Sequence, residues 1–373
     1  MSGRRVSKKI YVGNVDVGGD APVRVQSMTK TLTSDVEATV REIESLENAG
    51  CEIIRCAVPD MDAAKAIPEI KKRIHIPLVA DIHFHHHLAI ESLKGGVDGL
   101  RLNPGNIRDP EKVREVVKLA KERHVPIRVG VNFGSLPPVG LIGQKSSGAS
   151  RLTDGVNKLA KAGGLAGAPT VVDHMVQTAL WEIGLLEEQD FDLIKISMKA
   201  FDVPTTVEAY RRIAELVPYP LHLGITESGT VKSGTVRSAV GLGVLLWEGI
   251  GDTIRVSLAG DSRDEVYVGY EILKSLNLRE KGPVLVACPS CGRADVDIRK
   301  LADQVDELIN KMGKKLKVAV MGCEVNGPGE AKDADVGLAA GRGRAVIFRK
   351  GVMVRVVDEK DMFAALIEEV EKA

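Results

Sequence analysis

Aromatic side chains are scarce in this sequence, at 3% of 373 residues. Base-stacking platforms for single-stranded nucleic acid are built from such rings, so that class is disfavoured. Net charge is also missing. Lys+Arg and Asp+Glu number 51 each, giving +0, which argues against a nucleic-acid backbone or an anionic membrane surface as partner. No apolar run reaches membrane-spanning length, and the N-terminus MSGRRVSKKIYVGNVDVGGD has no apolar core of a secretion signal. The expectation is a soluble, cytoplasmic protein. Histidine stops at His222, and the five cysteines, Cys51, Cys56, Cys288, Cys291 and Cys323, are an odd number. That count points away from a disulfide framework and toward metal or redox chemistry.

What is present is an alternation. From residue 23, short β-rich runs recur: VRVQSMT (23–29), CEIIRCAV (51–58), PLVADIHF (77–84), GLRLNPG (99–105), PIRVGVNF (126–133), LIKISMKA (193–200), LHLGITES (221–228) and TIRVSLAG (253–260). Segments between them carry helical periodicity, as in 35–50, where Val40, Ile43 and Leu46 share a face before Gly50. The third helix, near 86–95, is short. Eight strands alternating with helices predict an α/β fold, a (β/α)8 TIM barrel over 1–275; a doubly wound sheet is the alternative. SLNLREKGP (275–283) reads as a linker. Beyond it, 283–373 reads as a small α+β domain: strands at 284–287 and 317–320, and a helix over 297–312 with Ile298, Leu301, Val305, Leu308 and Met312 on one face. A hairpin turning at Arg349, Lys350 and Gly351, then a last helix, complete it.

Two loops of the small domain follow strands and carry thiols. CPSC places Cys288 and Cys291 at chelating spacing, and GCEVNG adds Cys323 among glycines. Structural zinc needs four Cys or His ligands, and this domain has no histidine. Three thiolates fit a [4Fe–4S] cluster with one distinct iron, its fourth ligand an oxygen donor, Glu324 or Glu330. The bland alternative is that Cys323 is a small buried hydrophobe.

Active sites of such barrels lie at the C-terminal strand ends, and residues of one parity along a strand share a face. Those ends offer Arg55; Asp81 and His83; Arg101 and Asn103; Arg128 and Asn132; Lys195, Ser197 and Lys199; Glu227; and Arg255 and Ser257. One Arg could be a solvated rim residue. Basic residues on five strands, aimed at one mouth, would repel each other unless an anion lies between them. Arg suits bidentate phosphate recognition, so a small substrate with more than one phosphate is expected. Glu227, an acid in a basic site, is the candidate proton donor. In HFHHH (83–87), His83 is read as lining the mouth and the others as opening a helix. His222 is read as core or ligand.

CPSCGR, MGCEVNGPGEA and the barrel strings VQSMT, ADIHF, LRLNPGN and ITESG together closely resemble the 4-hydroxy-3-methylbut-2-enyl diphosphate synthase family, in its bacterial two-domain form, over nearly the whole chain. The resemblance implies reductive ring opening and dehydroxylation of 2-C-methyl-D-erythritol 2,4-cyclodiphosphate with two electrons, in isoprenoid biosynthesis by the methylerythritol phosphate route. It implies that Cys288, Cys291 and Cys323 bind the cluster, with Glu330 as fourth ligand. Arg55, Arg101, Arg128, Asn132, Lys199, Arg255 and Ser257 would hold the diphosphate, and Glu227 would protonate the departing oxygen; Lys195 shares the inward parity of Lys199. It further implies flavodoxin or ferredoxin as electron donor, and a homodimer in which the cluster domain caps a barrel mouth. Three rivals fit less well. A radical S-adenosylmethionine enzyme would cluster its cysteines near the barrel start. A pterin-binding barrel would not need so many basic strands. A zinc interaction module would need histidine in the small domain.

Overall fold

The computed structural model describes residues 3–107, 109–137, 170–291, 294, 296–323, 329 and 332–373. These form two compact units, Met1–Arg279 and Glu280–Ala373.

The first unit opens with a hairpin, β1 (Ile10–Val12) and β2 (Val15–Val17). The barrel strands follow: β3 (Arg24–Met28), β4 (Ile53–Ala57), β5 (Leu78–Asp81), β6 (Gly99–Arg101), β7 (Ile127–Asn132), β8 (Ile194–Lys199), β9 (His222–Leu223) and β10 (Thr253–Ile254). All are parallel, in the order β8-β7-β6-β5-β4-β3-β10-β9. A parallel bridge between Ile196 and Leu221 joins the two ends of this sheet. The eight runs read from the sequence are these eight strands, so the barrel is observed and the doubly wound sheet is excluded.

Helices α1 (Val36–Ala49), α2 (Met61–Arg73), α3 (His86–Lys94), α4 (Pro104–Ile107), α5 (Pro110–Glu122), α6 (Val171–Glu187), α7 (Val203–Leu216), α8 (Val231–Trp247) and α9 (Ser262–Ser275) separate the strands. Helix α1 shows why they form. Asp35 accepts a hydrogen bond from Ala38 N at the start, and Gly50 at φ 101 ends the helix. Between these caps Val40, Ile43 and Leu46 are buried. Each contributes about 1.5–3 kcal/mol of hydrophobic stabilisation. Leu46→Ala would lose roughly 2–5 kcal/mol.

The hairpin was not anticipated. It closes the N-terminal end of the barrel: Ile10, Val12 and Val17 pack on Ile53 and Val79, near the starts of β4 and β5. The polar residues lie at the other end of the barrel, on the C-terminal ends of the strands.

The second unit is a five-stranded sheet in the order β11 (Val284–Ala287), β12 (Lys317–Met321), β13 (Val336–Gly341), β14 (Arg344–Arg349) and β15 (Val352–Asp358), with α10 (Ile298–Met312) and α11 (Met362–Lys372). The first three strands are parallel and the last two antiparallel. The expected hairpin turns at Lys350 and Gly351, both with positive φ. One expectation is corrected. Helix α10 buries Ile298, Val305 and Ile309, flanked by Leu301 and Met312; Ile309, not Leu308, fills the core position. Among the described residues, no helix is long and apolar enough to cross a membrane.

Candidate active site

The barrel end gathers the basic residues. Arg55, Arg101, Arg128, Lys195 and Lys199 are all buried, and Arg255 is half-buried. Parity explains it: inward positions of parallel strands put their side chains into one interior. Asp81, buried at the end of β5, is the acid that several of them share. Its carboxylate lies 3.6 Å from Arg55 Nε and 3.5 Å from Arg101 Nη1. His83 Nε2 is 3.7 Å from the same carboxylate, and His83 Nδ1 accepts from Arg101 Nη1 at 3.1 Å. Burial pushes the Asp81 carboxyl up, but Arg55, Arg101 and Arg128 together hold it below the usual range. Burial, then Arg101, holds the His83 imidazole below its ordinary value, and so neutral.

Two glycines make room. A Cβ at Gly130 would lie 2.8 Å from Arg101 Nε, and one at Gly224 would lie 2.8 Å from Lys199 Nζ. The Gly130 carbonyl accepts from Arg101 Nη2 at 3.2 Å and from Asn103 Nδ2 at 2.9 Å. Asn103 Oδ1 takes the Gly130 N–H in return at 2.8 Å. Asn132, the last residue of β7, and Ser257, three residues beyond β10, are half-buried.

Lys199 Nζ stands 3.4 Å from His222 Nε2, and His222 Nδ1 is 2.8 Å from Thr253 Oγ1. His222 is a fully buried interior residue, held well below its normal pKa by burial, then Arg128. Burial, then Arg128 and Arg255, holds the Lys199 ammonium well below its ordinary value. The same first cause, with Arg128, brings Lys195 to about 7. The interior is thus short of negative charge. Among the described residues, Arg128 Nε and Nη1 and Lys195 Nζ have no hydrogen-bond partner.

Glu227 is exposed in the loop after β9 and has φ 52. That loop is fastened to the one after β10: Ser228 Oγ donates to the Ser257 carbonyl, and Ala259 N donates to Gly229 O at 2.9 Å.

Two acids escaped the sequence reading. Glu265, buried on α9, accepts from Ser27 Oγ at 3.1 Å and from Leu258 N at 3.0 Å, and lies 3.6 Å from Arg255 Nη2. Its place in the acidic first turn of a helix disguised it as a solvated charge. Glu182, buried on α6, accepts from Gly105 N at 2.7 Å, and burial raises its pKa to about 7. Its signal was available: a lone carboxylate inside the apolar run TALWEIGLL.

In the second unit, Cys288 directly follows β11 and Cys323 follows β12 by one residue. These strands are parallel register neighbours, and Cys288 N donates to Val320 O at 2.9 Å, so both cysteines follow the C-terminal ends of adjacent strands. Cys288 and Cys323 are half-buried and Cys291 is exposed. A Cβ at Gly322 would lie 2.6 Å from Ile298, the first residue of α10, so the glycine lets the Cys323 loop approach that helix start. Three soft thiolates without histidine fit an iron–sulfur cluster. Among the described residues no three of His, Cys, Asp and Glu are grouped tightly enough to hold a single ion. Glu324 and Glu330 lie outside the described residues. Cys51 and Cys56 are buried in the barrel, and burial pushes the Cys56 thiol to about 12.

Comparison with known proteins adds three findings. The GcpE TIM-barrel domain matches residues 7–270, and the GcpE protein C-terminal domain matches residues 284–372. The chain is 55% identical over 370 residues to a 4-hydroxy-3-methylbut-2-en-1-yl diphosphate synthase (flavodoxin) of Dehalococcoides mccartyi, covering 99% of each. It is 55% identical over 366 residues to the protein of that name in Geobacter sulfurreducens, covering 98% and 97%. With the one in Thermodesulfovibrio yellowstonii it shares 52% over 372 residues, covering 100% of both. Among solved structures, dihydropteroate synthase from Stenotrophomonas maltophilia aligns with a TM-score of 0.50 at 13% identity, over 73% of this chain and 97% of that one. That likeness shows a shared barrel fold alone.

Proposed function

Because the chain belongs to the GcpE family, we propose that its barrel end grips a diphosphate while its three thiolates hold the cofactor that reduces it. The activity is reductive ring opening and dehydroxylation of 2-C-methyl-D-erythritol 2,4-cyclodiphosphate to 4-hydroxy-3-methylbut-2-en-1-yl diphosphate, in isoprenoid biosynthesis. The observation that carries the site assignment is the set of five cations from five strands, Arg55, Arg101, Arg128, Lys199 and Arg255, sharing so few acids. Such a cluster is stabilised when an anion enters it.

In this reading the five cations, Asn132 and Ser257 bind the diphosphate. Asp81 and His83 orient Arg55 and Arg101, and Glu265 does the same for Arg255. Lys195, in register with Arg128, adds positive potential from beneath. Glu227 donates a proton to the departing oxygen, which leaves as water once two electrons have been delivered. Cys288, Cys291 and Cys323, with Glu330 as oxygen ligand, would hold a [4Fe–4S] cluster. When bound, that cluster supplies low-potential electrons. Flavodoxin is the proposed donor, on the relatives' names, with ferredoxin as the alternative. The cytoplasm, whose reducing conditions keep the thiols available, is the proposed location.

A homodimer is also proposed. Helix α8 exposes Val236 (61%), Val240 (52%), Val244 (36%) and Trp247 (54%) at helical spacing along one face. An apolar stripe of that length in water marks an association surface.

The test is anaerobic turnover of the cyclic diphosphate with a low-potential reductant. Product is expected. Protein with its full complement of iron that makes none would overturn the substrate reading. Cys323→Ser should lose iron, and unchanged iron would remove Cys323 from the ligand set.

A further inference from the structure

Beneath the strand ends, the barrel encloses a small cavity bounded by Val12, Gln26, Val79, Gly99, Arg128 and Lys195. Its volume is about 10 Å³, at the lower limit for one water molecule. Gln26 is 2% exposed, and Arg128 and Lys195 are 3% exposed each. Among the described residues, Gln26 Oε1, Arg128 Nε, Arg128 Nη1 and Lys195 Nζ have no hydrogen-bond partner. All four atoms belong to residues that bound this one space, and buried polar groups in a native fold are paired with protein or with ordered water.

The chemistry of the four selects the occupant. Three are donors and one is an acceptor. A halide would satisfy the donors and be repelled by the glutamine oxygen. A cation would be repelled by Arg128 and Lys195. Turning the glutamine amide over would aim its NH2 at two cations. Water accepts two hydrogen bonds and donates two, so one molecule can serve the glutamine oxygen, the guanidinium and the ammonium together.

We propose that this cavity holds one ordered water that donates to Gln26 Oε1 and accepts from Arg128 and Lys195, making Gln26 and Lys195 positioning residues for Arg128 rather than diphosphate ligands. The proposal rests on the assignment of Arg128 to the diphosphate site. Depth along β8 supports it. Lys199 lies four residues beyond Lys195, roughly 13 Å along a strand, beside Gly224 and His222 toward the mouth. Lys195 pairs in register with Arg128. It therefore acts on the substrate through the arginine, steadying the half of the guanidinium that faces down.

A crystal structure of the cluster-loaded enzyme with the cyclic diphosphate tests this without reference to turnover. One water within hydrogen-bond distance of Gln26 Oε1, Lys195 Nζ and Arg128 is expected, with no phosphate oxygen on Lys195. A phosphate oxygen on Lys195, a halide in the cavity or a dry cavity would each overturn it. Kinetics supply the second arm. Gln26→Leu should raise KM about tenfold with kcat nearly unchanged, and Gln26→Glu, which keeps the acceptor, should restore KM. An unchanged KM in Gln26→Leu overturns the positioning role. The pH profile gives the third. Burial, Arg128 and Arg55 hold Lys195 near 7 against the pull of Asp252, so wild-type KM should climb as pH rises past 7. Lys195→Met should flatten that climb; an unaltered profile would remove Lys195 from the argument. A missing water with normal turnover would sink this proposal alone, whereas absent turnover in protein with the water in place would sink the substrate reading.

Discussion

Glu227 holds a backbone conformation that its side chain disfavours. At φ 52 it sits in the left-handed region, where a residue bearing a Cβ is strained by about 1 kcal/mol or more. The Ser228–Ser257 and Gly229–Ala259 hydrogen bonds hold the loop in that state. Strain maintained by fixed neighbours is a mark of a residue placed for chemistry rather than for packing. Two substitutions separate those roles. Glu227→Gln keeps shape and removes the proton; it should retain iron and lose turnover by about 100-fold or more. Glu227→Gly should lose turnover equally, yet gain up to about 1 kcal/mol of unfolding free energy, because glycine accepts positive φ freely. Anaerobic assays and chemical unfolding measure the two effects. A Gln variant at full rate removes the acid role, and a Gly variant less stable than wild type removes the strain.

At the scale of elements, helix α8 carries apolar side chains on two faces. Its inner face packs Leu242, Leu245 and Leu246 into the barrel, while Val236, Val240, Val244 and Trp247 remain in water. Val240→Lys places a charge in the middle of the outer stripe and touches nothing in the core. Sedimentation should show the particle mass halve, with secondary structure and iron content kept. A variant of unchanged mass would locate any dimer contact elsewhere. The same helix shows what could be read in advance. Its apolar residues run all round, so periodicity marks a helix and not which face is covered. Barrel strands were legible because inward polar and outward β-branched residues alternate over several positions. The hairpin at Ile10–Val17 was not, because three-residue strands are too short to show a period. Strand β13, VGLAAG, was hidden by glycine and alanine, which carry little strand preference. Glu265 and Glu182 were missed for a related reason. Their roles depend on which side of a helix the barrel lies, and sequence spacing does not record that.

On the scale of the molecule, a barrel interior that buries more basic groups than acids sets stability against binding. Lys195 has its pKa near 7 in the fold against 10.5 in its absence, and Lys199 is depressed as well. Between about pH 7 and 10 the unfolded chain therefore keeps lysine protons that the native protein has released. Unfolding free energy rises with pH wherever the unfolded state binds more protons. The substrate-free protein should accordingly gain thermal stability from pH 7 toward 10, by a few kcal/mol at most. The tyrosines Tyr210, Tyr219 and Tyr270, pushed well above their ordinary value by burial, reverse the trend above about pH 10. Binding of a diphosphate returns the protons, since an adjacent anion favours the ammonium form. The alkaline rise should then flatten in the presence of the cyclic diphosphate, and calorimetry at pH 8 in buffers of different ionisation enthalpy should register proton uptake on binding. A melting temperature that falls from pH 7 to 10 in the free protein, or binding without proton uptake, would show that the interior lysines are already neutralised by the fold and that no anion is needed to complete it.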